Sequence, residues 1–227
     1  MARTPAQASQ QAGVSLVELL IGLTIGLFIV GTSLVALQVQ LRESRALIAQ
    51  NRLMQDLRAA ADLMARDLRR VGHWGAADHG VWQQAGATDP VINPYTPMST
   101  SGSAVAFRYS RDAVENDLVD SNEQFGYRLR NGVLELQLGT APWQAMTDST
   151  TMKVTRFEIT PTEQLRSLAG SCTTPCPIAD LSCPPQLHVR SLVLMLTAQG
   201  IGEATIERSM RTMVRLRNDT ITGHCPA

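Results

Sequence analysis

The 227 residues carry 20 basic and 20 acidic side chains, a formal net charge of zero, and a hydrophobic fraction of 44%. That balance excludes a general nucleic-acid binder, which needs a basic excess, and the apolar content excludes a disordered chain. The length suits one or two domains with a sizeable core; aromatics are only 4%, so the composition predicts a mainly aliphatic core.

The distribution is uneven. Residues 19–37 contain no charge, and 13 of these 19 are Leu, Ile, Val, Phe or Ala. As a helix they span roughly 28 Å, close to the hydrocarbon core of a bilayer. A cleavable secretory signal has an apolar stretch of about 7–15 residues followed by a small-residue cut site. Here the run is longer, and Val35-Ala36-Leu37-Gln38 offers no such site. A plain signal anchor explains the run but not Glu18 at its edge. Insertion scales put an acidic group at mid-bilayer at about 2.5–3.5 kcal/mol, less near the edge, so such a residue needs a partner.

The residues before the run are Gly13-Val14-Ser15-Leu16-Val17-Glu18. They resemble the class III signal of type IV pilins and type II secretion pseudopilins: a short polar leader ending in Gly, then an apolar residue, Ser/Thr-Leu-Ile/Val-Glu and a long apolar helix. The leader is 1–13, with Arg3 its only charged side chain. The family prefers Phe where this chain has Val14, although aliphatic residues occur there too. The resemblance implies cytoplasmic-side cleavage after Gly13 by a prepilin peptidase and N-methylation of Val14. It also implies pairing of the Glu18 carboxylate with the Val14 α-amine of a neighbouring subunit. Arg42, Arg45 and Arg52 after the span outnumber Arg3 before it, opposite to the positive-inside preference. The cytoplasmic N-terminus is therefore an implication of the resemblance.

Past residue 41 charges return but a helical stripe persists. Leu53, Leu57, Ala60, Met64, Leu68 and Val71 recur at helical spacing, with Arg52, Asp56, Arg58, Asp62, Arg66 and Arg69 on the other faces. Arg52–Asp56, Arg58–Asp62 and Asp62–Arg66 fall at i,i+4. No proline occurs between Val14 and Val71, and Gly72 is a natural stop. One continuous helix over 14–71 is predicted, membrane-spanning over 14–41 and amphipathic over 42–72. A break near 38–45 is the alternative.

Residues 73–103 show no sustained period and read as a long loop. His73, Trp74, His79 and Trp82 lie in it; unpaired surface histidines are the simpler reading there than a metal or stacking site. Strand signals follow at 104–109, 152–160, 188–198 and 205–217. The clearest local signal is Asn131-Gly132, a type I′ turn that pairs Arg130 with Val133, Leu129 with Leu134, Arg128 with Glu135 and Tyr127 with Leu136. A helix followed only by strands predicts an α+β fold, with an antiparallel sheet of a head domain over 73–227 packed on the helix stripe. Asp112, Glu115, Asp117, Asp120 and Glu123 read as a solvated inter-strand loop. Calcium is an alternative use of such carboxylates, but the EF-hand glycine and spacing are missing.

Cys172, Cys176 and Cys183 sit in a proline-rich stretch, 161–187, and Cys225 lies near the C-terminus. In a periplasmic domain they can form disulfides, with three possible connectivities. The short spacing suits a Cys172–Cys176 bridge, leaving Cys183–Cys225 to pin the tail. Zinc on Cys172, Cys176 and Cys183 is an alternative without a CxxC pair. No GxSxG, HExxH, GxxxxGK[ST] or GxGxxG motif occurs, so neither an enzyme nor a cofactor is expected.

Three further stretches resemble PilW-type minor pilins: the helix end Asp67-Leu-Arg-Arg-Val-Gly-His-Trp-Gly75, the hairpin 127–137, and Thr212-Met-Val-Arg-Leu-Arg-Asn218. J-type pseudopilins of type II secretion share the general plan, and a membrane-anchored periplasmic binding domain that never polymerises is a third possibility. The resemblance implies a minor pilin, single-pass in the inner membrane with a periplasmic head, then part of a surface pilus near its tip. The implied partners are other minor and major pilins, the prepilin peptidase and the inner-membrane assembly platform. Adhesion, twitching motility or DNA uptake would follow from the filament.

Overall fold

A computed structural model describes residues 13–80, 92–202 and 206–226. Most of the leader, Trp82 and Thr205 lie outside these residues. Helix α1 runs without interruption from Leu16 to Leu68, so there is no break near 38–45. The chain divides into two units, one ending at Ile48 and one beginning at Ala49, and α1 contributes to both. Within the second unit, Leu53, Leu57, Ala60, Met64 and Leu68 are buried as the spacing requires, joined by Ala61 and Ala65. Small residues between the large ones let strands approach the helix closely. The i,i+4 ion pairs do not close: among the described residues none of the salt bridges lies on α1.

Among the described residues nine strands follow, all paired antiparallel. They form two sheets, where the sequence pattern predicts one. The first has the order β1 (Ser99–Ser101), β2 (Ala104–Arg108), β3 (Gln124–Arg130), β4 (Val133–Leu138), β5 (Gln144–Ala145). The second is β6 (Met152–Ser167), β7 (Gln186–Gly200) and β8 (Glu207–Arg215), with β9 (Thr220–Thr222) also on β7. Both sheets contribute to one core with the buried stripe of α1. Strand alternation reveals which face is buried but not which strands share a sheet, because a chain can leave one sheet and start another at any turn.

The β3–β4 hairpin has the predicted register throughout. Asn131 and Gly132 take φ of 52° and 82°, the left-handed pair a type I′ turn demands. Arg128 and Glu135 form the predicted cross-strand ion pair. In β8, Val214 is buried and Met210 and Thr212 are half-buried, with Arg208 on the same side; Glu207, Ser209, Arg211, Met213 and Arg215 are exposed. Strands β6 and β7 run further into the proline-rich stretch than predicted, to Ser167 and from Gln186, and leave 168–185 as the cysteine loop.

The core is mainly aliphatic, as the composition predicts, but it also holds an aromatic cluster. Seven of the ten aromatic side chains are buried, so scarcity in the chain coexists with concentration in the head. Phe107, Tyr109, Phe125 and Tyr127 stack across β2 and β3, with the Tyr109 and Phe125 rings 4.0 Å apart and nearly parallel.

Candidate functional site

The N-terminal segment comes first. Gly13, Val14 and Ser15 precede the helix in non-helical backbone, and the Ser15 carbonyl accepts the first helical bond, from Leu19 N–H at 3.1 Å. Glu18 falls in the first turn, where the positive end of the helix dipole favours a carboxylate. The apolar side chains on either side of Glu18 are exposed all round: Leu16 at 75%, Leu20 at 51%, Phe28 at 73%, Val35 at 63%. So much contiguous apolar surface is unstable in water. With a mean hydropathy of 2.3 over its most apolar 18 residues, α1 is long and apolar enough to cross a membrane. The polar side chains within the run do not oppose this. Thr24, Thr32 and Ser33 turn their hydroxyls back onto carbonyls of the preceding turn at 2.7–2.9 Å, so lipid would meet no unsatisfied donor.

In the second unit, the three stretches that resemble minor pilins converge on the C-terminal end of α1. Gly72 takes φ of 73°, and its carbonyl accepts bonds from Asn93 Nδ2 at 2.9 Å and Asn218 Nδ2 at 3.0 Å. Its N–H reaches the Arg108 carbonyl at 2.9 Å. Tyr127 of the hairpin donates its hydroxyl to Asp67 at 2.8 Å, and burial first and Asp67 second push that phenol far above its ordinary range. Arg190 from β7 donates to the Asn218 carbonyl at 3.0 Å; burial lowers its guanidinium from its usual value. A helix end would leave its last carbonyls unpaired. Here Arg69, Arg70 and Val71 N–H meet the Ala65, Asp67 and Leu68 carbonyls locally, and segments far apart in sequence bond Gly72 just beyond and fix the helix end to the head.

The acidic run lies beside this junction, and it is not simply solvated. Glu123 is fully buried and accepts from Arg111 N–H at 2.6 Å, Asp120 N–H at 2.9 Å and the Tyr95 hydroxyl at 3.2 Å. Glu115 accepts from Gly75 N–H at 2.7 Å and shares the single Tyr95 O–H, 3.0 Å away, with Glu123, and Asp117 accepts from the Trp74 indole N–H at 2.7 Å. Glu115 and Asp117 thus bind the chain that leaves α1, and Glu123, the buried one, persists because several donors replace water around it. The Asp-x-x-Glu spacing of 120–123 is a capping pattern, which accounts for the bond from Asp120 N–H but not for the burial of Glu123. Trp74 is buried with His79 edge-on to its ring, 6.2 Å away, while its indole N–H serves Asp117 rather than a ligand.

Burial pushes the Glu115 carboxyl up, but hydrogen bonds led by Gly75 N–H outweigh it and hold the group below its usual range. A lowered folded value contributes stability above the unfolded pKa of about 4.3 and loses it as pH falls through the folded value. Asp112 acts in the opposite sense, raised by desolvation and by neighbouring carboxylates. Glu115→Gln is therefore expected to flatten the acid limb of a stability–pH profile below about pH 4.3, and to cost about 1 kcal/mol at neutral pH. Urea denaturation of the full-length protein at several pH values measures both; an acid limb as steep as wild type contradicts the assignment.

The cysteine loop corrects the predicted pairing. Cys172 bonds to Cys225 and Cys176 to Cys183. Two successive turns, Asp180 N–H to the Pro177 carbonyl and Cys183 N–H to the Asp180 carbonyl, wind the chain back so that Cys183 meets Cys176. The tail then passes against Ser182, with His224 N–H on the Ser182 carbonyl at 3.0 Å, which brings Cys225 to Cys172. Gly223 makes the passage possible: its φ is 79°, and a Cβ there would overlap the Ser182 carbonyl. Ser182 donates its hydroxyl to Asp180, whose carboxyl is held below its usual range by Ser182. The sulfurs of Cys172, Cys176 and Cys183 lie within 4.8 Å of one another, close enough for a shared metal, but each is spent in a disulfide.

A membrane-capable helix whose second half packs into a disulfide-bonded head of antiparallel sheets defines a pilin-like class of protein. The family model for prepilin peptidase-dependent protein B matches residues 46–216, about three quarters of the chain. The chain belongs to that family, a type IV pilus-related one. No curated protein and no solved structure matches it. The matched span begins after Glu18, so it does not include the Gly13–Glu18 signal.

Proposed function

We propose that the protein is a minor pilin of the PilW type, a structural subunit without a catalytic step, which helps to initiate a type IV pilus and sits near its tip. One observation carries the reading: a prepilin-type signal stands directly before an exposed apolar helix, on a chain whose residues 46–216 match a prepilin peptidase-dependent family. The two parts do not overlap, so neither is the source of the other.

The mechanism follows from the chemistry. Cleavage after Gly13 removes the polar leader and leaves the apolar half of α1 as a single-pass inner-membrane anchor. Its exposed apolar side chains pack equally well against lipid or against the same segment of another subunit, so the helix can leave the bilayer sideways. Glu18 sets the register by meeting the Val14 α-amine of a neighbour, where both charges desolvate together. The head lies in the periplasm, an oxidising compartment that suits both disulfides, and then on the pilus, where it contacts other minor and major pilins. The prepilin peptidase and the assembly platform act on the anchor.

Substitution of Gly13 tests the reading. Gly13→Leu is expected to leave the leader on the chain, visible as a slower band on a high-resolution gel of membranes from the native host. Processing at the wild-type rate would leave a plain anchor and a non-polymerising domain.

A further inference from the structure

The two long edges of the second sheet are finished differently. Strand β6 is one edge. Residue pairing after its bulge at 154–156 turns the backbone groups of odd-numbered residues away from β7, and one of these is Pro161, which has no N–H to offer. Near its start, the outward N–H of Val154 is taken by the Gly132 carbonyl at 2.8 Å. That edge is closed by the devices natural sheets use against unwanted pairing.

The β8 edge carries none of them. Leu216 N–H bonds to the Arg190 carbonyl and Gly200 N–H to the Ile206 carbonyl, and the register between these points is unbroken. Even-numbered residues of β8 therefore face β7, and the backbone groups of Glu207, Ser209, Arg211, Met213 and Arg215 face away from it. No proline, bulge or neighbouring strand covers them among the described residues. A nine-residue strand so finished is a template for another strand.

Charge selects the occupant. Residues 207–217 hold Arg208, Arg211, Arg215 and Arg217 against a single Glu207. Arg215 pairs with Asp219, while Arg211 and Arg217 make no salt bridge among the described residues. Two copies pairing through β8 would oppose arginine-rich strands, which disfavours self-association. An acidic strand gains where a copy loses. Met213, 67% exposed on the outer face, offers one apolar contact at the centre.

We propose that β8 is an acceptor edge, to which an acidic extended segment of another protein adds as a further strand. The proposal stands apart from N-terminal processing, because a chain that never polymerised would carry the same edge.

The test uses full-length protein in detergent and a fluorescent nine-residue peptide that alternates glutamate with valine and threonine, read by anisotropy. Two further peptides carry N-methyl groups on alternate amides, in opposite phases. A strand adding to an edge uses only one phase, so one methylated peptide should bind at least tenfold more weakly and the other like the parent. The lysine version of the peptide should not bind. Met213→Pro removes an outward N–H without touching the β7 ladder and should also weaken the parent peptide at least tenfold, whereas Met213→Ala should change it less than threefold. Circular dichroism checks the fold of both variants, and if the proline variant misfolds the methylated pair decides alone on wild-type protein. Equal binding by the two methylated peptides, binding untouched by the proline, or no saturable binding of the parent would overturn the proposal.

Discussion

Removing the Cys172–Cys225 bridge, as Cys172→Ser with Cys225→Ser, is expected to destabilise the head by about 4 kcal/mol. The bridge closes a loop of 53 residues, and loop-closure entropy grows with the logarithm of that length. Removing Cys176–Cys183, separated by 7 residues, should cost only about 2.5 kcal/mol by the same relation. The longer bridge also holds the tail against Ser182, so its loss frees the Gly223–Cys225 passage as well. Urea denaturation of the oxidised full-length protein measures both. The pairing itself is tested by a crossed variant: Cys172→Ser with Cys176→Ser breaks both bridges here and should be the least stable of the three. If it kept an intact second disulfide and matched a single-bridge variant, the local Cys172–Cys176 pairing would stand instead.

These cysteines show where sequence reading stops. Spacing alone favoured the nearest pair, but the pairing depends on two turns over 177–183 and on the left-handed passage at Gly223, none of which follows from counting residues. The β3–β4 hairpin lies at the other extreme. Asn131-Gly132 sets its own turn type, and the turn sets every pair from Arg130–Val133 to Tyr127–Leu136. The buried stripe of α1 was equally legible, because the helical period needs only one face to be apolar. The division into two sheets was not, since it is decided by long-range pairing. Nor was the inward turn of Glu123, whose burial depends on donors from Tyr95 and Arg111 that no local pattern places together. Composition points to the aliphatic core but hides its aromatic cluster: a low aromatic percentage averages over an exposed helix and a head that holds most of the rings.

Glu18→Gln is expected to insert in the membrane as well as wild type yet to fall out of the filament. A neutral amide at the edge of the span costs less than a carboxylate, so anchoring does not suffer. In the proposed assembly, the loss leaves the neighbouring Val14 α-amine desolvated without its partner. Breaking one side of such a pair costs about 3–5 kcal/mol, on the order of a hundredfold to several thousandfold in occupancy. The ratio of subunit in sheared filaments to subunit in membranes, read by immunoblot, measures it. Incorporation of Glu18→Gln at the wild-type ratio would remove Glu18 from the assembly mechanism.

The central claim is that this chain is processed as a prepilin, and the mature N-terminus tests it most directly. Mass spectrometry of the protein purified from membranes should find residues 14–227 with one methyl group on the α-amine of Val14. An intact Met1, or a new terminus at any residue other than Val14, would contradict it.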